Sequence, residues 1–179
     1  MMTEAELSAK ERTIRFLDIF IPAIRAGQKT QTRRVVNPQP RNVEHLNGKR
    51  LSYRMDPVYG TWVLTFSDAS LISAMQAGHG YIDAAFGRCP YGVPGDILLV
   101  EGTDLRLKNE GVRVERVQEI SEEDAKAEGI VPPSLPSLGT HGSYRNEFGV
   151  EWHSINAKRG FGWDKNPWVF VIDFRMIKP

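Results

Sequence analysis

Residues 26–36, AGQKTQTRRVV, gather a glycine, a lysine, two threonines and two adjacent arginines into one short run. A lysine near a hydroxyl can serve as the base that activates a nucleophile, the pairing used by Ser-Lys acyl-transfer enzymes. Here the pair is Lys29 and Thr32. On a straight strand side chains alternate between faces, so residues three apart point opposite ways. Lys29 and Thr32 converge only if the chain bends between Gly27 and Thr30, leaving Lys29 in the turn and Thr32 on the strand. Gly27 permits such a bend, because glycine alone readily takes positive φ. The same spacing also describes a basic strand edge facing solvent, and spacing alone leaves both readings open.

Other chemistries find less support. The four histidines (His45, His79, His141, His153) and Cys89 lack zinc-like spacing with one another, so neither a metal site nor a cofactor is expected. Cys89 precedes a proline in a turn signal, has no partner visible in the sequence, and reads as a turn residue rather than a nucleophile. As the lone cysteine it cannot form an internal disulfide, which fits a reducing compartment. No apolar run approaches the roughly 18 residues needed to span a bilayer. The start, MMTEAELSAKER, has no apolar stretch of the signal-peptide kind. A cytoplasmic protein without membrane contact is the expectation.

Charge is unevenly distributed. The 179 residues are 41% apolar and 25% charged, with a net charge of +1. From Arg25 to Arg54 there are eight bases and one acid, so that segment is +7 and the remainder −6. From Glu110 to Glu128 there are seven acids and three bases. Either a basic face holds a phosphate-bearing ligand, or the two patches pair with each other.

The elements that must position these groups follow from local signals. Residues 1–12 read as a tail and 13–179 as one domain. TIRFLDIF (13–20) reads as a strand, and IPAIRAG (21–27) as a short helix with Pro22 in its first turn and Gly27 ending it. KTQTRRVV returns to strand character. Residues 37–88 read as an insertion, with a hairpin over 50–66 and a helix over 67–78. A Pro-Gly turn precedes the apolar strand in CPYGVPGDILLV (89–100), and LRLKNEGVRVERVQEI reads as two strands around a Lys-Asn-Glu-Gly turn. Ser121 caps an acidic helix that Gly129 ends. A Pro/Gly-rich loop at about 131–147 follows, able to act as a lid. Phe148, Trp152 and Ile155 share helical spacing, and Trp168, Phe170, Ile172, Phe174 and Met176 alternate onto one face of a last strand. Short strands with a few helices between them predict an α+β fold, a small partly closed β-barrel with helices at its ends.

Four segments, in order over residues 14–177, carry a resemblance: GQKTQTRR, CPYGVPGD, VRVERVQEISEEDAKAEGI and the pair WHSIN with NPWVFVIDF. Together they resemble ASCH-domain proteins of the PUA-like superfamily, and the bacteriophage-type branch in particular. The chain departs from that branch at 100–104, where VEGTD stands in place of an Arg-Glu-Thr-Trp-like run and Glu101 keeps only the acid. The resemblance implies a PUA-like barrel that recognises a nucleoside or RNA. Some small ASCH proteins are amidohydrolases that remove the acyl group from N4-acetylcytidine, with a lysine, a threonine and a glutamate as the proposed triad. Carried over, these fall on Lys29, Thr32 and Glu128. Thr30, Arg33, Arg34 and Glu101 are the implied substrate contacts, with Lys29, Thr32 and Arg34 inward and Arg33 free for phosphate or solvent.

The chemistry sets a condition. A free lysine has a pKa of about 10.4, and a general base should titrate nearer 7 or 8. Burial lowers the lysine and an ionised Glu128 raises it, so the two groups titrate as a unit. Two alternatives to the hydrolase stay open. One is a non-catalytic RNA-binding module that uses Arg33, Arg34, Arg41, Lys49, Arg50 and Arg54 for phosphates and Tyr53, Tyr59 or Trp62 for stacking. The other is a phage accessory protein acting on a host protein.

Overall fold

A computed structural model describes residues 9–41, 43, 51–55, 62–66, 86–131, 134–135 and 140–177. The chain runs β1 (Glu11–Ile14), a 3-10 turn (Asp18–Phe20), α1 (Ile21–Arg25), β2 (Gln31–Val35), β3 (Leu51–Met55) and β4 (Trp62–Phe66). It continues through β5 (Ile97–Val100), β6 (Arg106–Arg116), α2 (Glu122–Ala127), a ribbon of β7 (Ser134–Leu135) and β8 (Thr140–His141), α3 (Tyr144–Asn156) and β9 (Trp168–Ile177).

The frame is the antiparallel pair of β6 and β9, in register from Arg106 opposite Ile177 to Arg116 opposite Trp168. The other edge of β6 is divided: Arg106–Lys108 pair with β5, while Arg113 and Val114 pair with β3. β1 lies parallel to β5, β4 extends β3, and β2 pairs antiparallel with β9. This seven-stranded sheet forks at β6 and does not return on itself, so the expected barrel is corrected to an open, branched sheet among the described residues. Closure requires the two outer edges to meet with a consistent stagger. Here the edge of β6 is spent on two different neighbours instead. The hairpin of β3 and β4, expected as part of an insertion, is built into this sheet, whereas the helix expected over 67–78 lies outside the described residues.

Other boundaries differ for local reasons. The first strand is shorter and earlier than expected: Glu11 and Arg12, assigned to a tail, pair with Ile97 and Leu98, and the strand ends at Ile14. The expected Lys-Asn-Glu-Gly turn is a bulge inside continuous β6, where the register shifts between Asn109 and Gly111. Asn109 and Gly111 both find partners on β9, so the chain keeps its direction and only Glu110 is extra. The loop expected to reach 147 ends sooner, because Ser143 caps α3 by accepting a hydrogen bond from the Asn146 N–H.

β9 is buried on both faces rather than one. Trp168, Phe170, Ile172 and Phe174 enter a core with Ile14, Leu51, Leu64, Leu98 and Leu107. Val169 and Val171 enter a second core with Val117, Ile120, Ala125, Ile130, Phe148 and Trp152. The intervening valines already made WVFVI a continuous apolar run, the pattern of a strand covered on both sides. α2 and α3 supply the second cover. No described helix is long and apolar enough to cross a membrane.

Candidate functional site

The opening run sits where α1 turns into β2. Pro22 occupies the first turn of α1, and Gly27 takes φ of +69° just past its end. The backbone N–H groups of Gln28 and Lys29 both donate to the Ala23 carbonyl, at 2.8 and 3.0 Å, which places Lys29 in the turn. β2 starts two residues later, so Thr32 projects from the strand. The bend that convergence requires is present.

α2 approaches from the other side. Ser121 Oγ accepts from the Asp124 N–H at 3.0 Å, and the helix ends in Glu128 and Gly129. The Thr30 N–H donates to the Ala127 carbonyl at 2.8 Å, tying the end of α2 to the turn before β2. Gly129 has φ of +83°, and a Cβ there would lie 3.0 Å from Lys29 Cβ. Glycine at this position therefore lets the two backbones close.

Lys29 and Glu128 meet inside the protein. Lys29 Nζ donates to Glu128 Oε2 at 2.7 Å and to the Glu128 backbone carbonyl at 2.6 Å. Their side chains are 3% and 5% exposed, so the pair is screened little by water. Lys29 Nζ also lies 4.7 Å from the Phe20 ring centroid. Burial pushes the lysine below its ordinary value, and the Glu128 charge pulls it back. Both side chains line a cleft of about 670 Å³, counting the part open to solvent. Thr32 lines the same cleft and is 4% exposed. The three residues carried over from the resemblance thus share one cavity.

The other candidates separate. Arg34 lines the cleft, donates to the Arg15 carbonyl at 2.6 Å and stacks over Phe16 at 5.0 Å, while its Nε has no partner. Arg33 is corrected from a solvent- or phosphate-facing group to a buried one, with a side-chain exposure of 0%. Its guanidinium meets Glu115 at 2.6 Å, Glu128 at 3.2 Å and Asp124 at 3.3 Å. Arg113 joins this network through Glu115, Asp124 and Asp173, at 3.2, 2.9 and 3.0 Å. Part of the basic segment therefore pairs with the acidic one, because a buried arginine must find carboxylates. Thr30 is exposed and outside the cleft lining, as is Glu101 in the turn after β5.

The stacking residue Tyr53 is 8% exposed, and its hydroxyl donates to the Gly87 carbonyl at 3.1 Å, so it is a core residue rather than a platform. Arg41 is exposed. Lys49, Arg50 and Tyr59, and the side chains of Arg54 and Trp62, lie outside the described residues. Cys89 is buried, and burial pushes its thiol up to about 12. Among the described residues no group of three His, Cys, Asp or Glu side chains could hold a metal.

Sequence reasoning missed the far wall of the cleft. α3 contributes Glu151, Trp152, Ile155 and Asn156, and the 3-10 turn after it contributes Arg159. Ile155, at helical spacing with Phe148 and Trp152, is 40% exposed at this wall. A signal was present: Glu151 falls three residues after Phe148 and four before Ile155, so an acid occupies the stripe that faces the body of the protein.

No family model matches the chain, and no curated protein matches it. Two solved structures are similar across nearly its whole length. The ASCH domain from Lactobacillus crispatus JV V101 is 14% identical, with a TM-score of 0.46 over 98% of this chain and 86% of that one. The hypothetical protein PH0355 is 18% identical, with a TM-score of 0.41 over 93% of this chain and 99% of that one.

Proposed function

We propose that the protein is an amidohydrolase that removes an acyl group from N4 of a cytidine-type nucleoside, free or within RNA. The observation that carries this reading is the cleft shared by Lys29, Thr32 and Glu128, with Lys29 Nζ 2.7 Å from Glu128 Oε2. Lys29 in its neutral form takes the Thr32 hydroxyl proton, and Thr32 Oγ1 attacks the acyl carbonyl carbon. Lowering of Lys29 by burial favours this role. Glu128 holds the amine through two acceptors, its carboxylate and its backbone carbonyl, while its Oε1 accepts from Arg33 at 3.2 Å. Both carboxylate oxygens of Glu128 are thus engaged, so its part is to orient Lys29. Arg34 and Arg159 offer positive charge at the cleft wall for a phosphate or a polarised carbonyl.

The experiment is incubation with a panel of N4-acylated cytosine compounds, followed by the ultraviolet shift on deacylation. The wild type is expected to turn over at least one member, with Thr32→Ala and Lys29→Ala each losing two or more orders of magnitude in rate, the scale of nucleophilic and general-base contributions. Wild-type turnover in both variants would overturn the mechanism. An RNA-binding module makes a different demand: affinity that falls steeply with salt through phosphate contacts.

A further inference from the structure

Glu151 is the one carboxylate of the cleft that the proposed chemistry does not use. It lies on α3, opposite the turn that carries Lys29, and its Oε1 is buried without a hydrogen-bond partner. An acceptor without a partner costs free energy, so a ligand group that donates to it at this half-buried position gains a hydrogen bond. From the elements packed against it, Glu151 faces the charges of Lys29 and Glu128, and from its own helix that of Glu147; Arg34 and Arg159 line the same cleft. Burial pushes its carboxyl above the ordinary range, Lys29 pulls it down, and Glu128 and Glu147 add to the rise. The net shift is upward, and the protonated form presents one donor and one acceptor side by side.

We infer that Glu151 is a further catalytic residue, one that reads the N3–C4–N4 edge of the base and carries the leaving-group proton. The inference rests on the amidohydrolase reading and deepens it. An N4-acylcytosine offers an acceptor at N3 and a donor at N4–H, complementary to a neutral carboxyl group. The engaged oxygens of Glu128 leave this task to Glu151.

The steps balance. As Thr32 Oγ1 bonds to the acyl carbon, its proton moves to Lys29 and the carbonyl π pair moves to oxygen. When the adduct collapses, the C–N4 bond breaks and its electron pair passes into the ring. N3 takes the Glu151 proton, and cytosine departs as its imino tautomer with the N4 hydrogen kept. The Glu151 carboxylate then takes a proton from water as that water attacks the acyl-threonine. On the second collapse Lys29 returns its proton to Thr32 Oγ1, the carboxylic acid leaves, and all three side chains regain their starting forms.

Wild type, Glu151→Gln and Glu151→Ala separate the possibilities, with cytidine as the binding probe and N4-acetylcytidine as substrate. Glutamine keeps the donor and acceptor but cannot surrender a proton. Glu151→Gln is expected to bind cytidine like the wild type while Glu151 is protonated, to lose the wild type's weakening as pH rises through the raised Glu151 value, and to drop kcat about 100-fold or more with little change in KM. Glu151→Ala is expected to bind cytidine about 10- to 100-fold more weakly, the value of one bidentate base contact. Glu151→Ala binding within about twofold of wild type, or Glu151→Gln retaining kcat, would overturn the inference. If the wild type binds cytidine in a Glu151-dependent way but hydrolyses no acylated cytosine, base reading stands and the proton-transfer role falls with the hydrolase reading. A wild type that does neither overturns both. Urea unfolding of each variant confirms that a loss is not a loss of folding.

Discussion

Glu128→Gln removes one charge from the buried pair and keeps the side-chain shape. In the wild type Lys29 Nζ has two acceptors, Glu128 Oε2 at 2.7 Å and the Glu128 carbonyl at 2.6 Å, both from one residue. While Lys29 is charged, the substitution leaves its ammonium buried beside the carbonyl and the phenyl ring of Phe20. Removing one partner of a buried ion pair costs about 3–5 kcal/mol, and the surviving carbonyl puts Glu128→Gln near 3 kcal/mol. The reverse change, Lys29→Met, is milder. Glu128 then keeps Arg33 at 3.2 Å, and a cost below about 2 kcal/mol is expected. With a urea slope of about 2 kcal/mol/M, the midpoints fall by about 1.5 M for Glu128→Gln and by less than about 1 M for Lys29→Met.

The gap also depends on pH, with a defined sign. Burial holds Lys29 below the free value of 10.5, so over that window the unfolded chain binds more protons and stability rises with pH. Glu128 opposes the drop. Without it the window opens at a lower pH, and the cost of Glu128→Gln narrows as pH is raised through that window toward 10.5. Equal costs for the two variants, or a gap that does not change with pH, would refute the pairing argument.

Gly129→Ala is expected to destabilise by about 1 kcal/mol or more and to lower turnover, since it combines a positive φ with a Cβ placed 3.0 Å from Lys29 Cβ; a urea midpoint and the deacylation assay check both. The Cys89 thiol, raised from 9.0 to about 12, presents about 10³-fold fewer thiolates at pH 8 than an ordinary cysteine, so a disulfide reagent should label the folded protein slowly and the urea-unfolded protein at once. Glu151 is raised in the folded state, so the native protein binds the extra proton between 4.5 and the raised value, and stability falls as pH rises through that window. Glu151→Gln should therefore gain on the wild type as pH increases past 4.5, read as the difference between their thermal midpoints.

What is legible in the sequence follows from how local each signal is. Pro22 with Gly27, and Ser121 with Gly129, mark helix ends through φ preferences and side-chain caps that act within a few residues. Gly27 made the Lys29 bend possible in the same local way, without deciding it against a straight strand edge. The bulge at Asn109–Gly111 resembled a turn because both use the same residues, and only the ladder to β9 distinguishes them. Arg33 could not be placed from the sequence, since its partners at 115, 124 and 128 lie 82 to 95 residues away. Glu151 was hidden likewise, because its isolation is a property of the cleft and not of α3.

By itself the sequence determined the chemical inventory and the local signals: a glycine that permits a bend ahead of Lys29, strand character around Thr32, and a capped helix that ends beside Glu128. Tertiary structure alone decided that the sheet forks at β6, that Arg33 is consumed by buried carboxylates, and that α3 brings an unpartnered acid to the cleft. The physical reason is range. Dihedral preference and capping act over a few residues, whereas burial and charge pairing depend on which distant segments the sheet brings together.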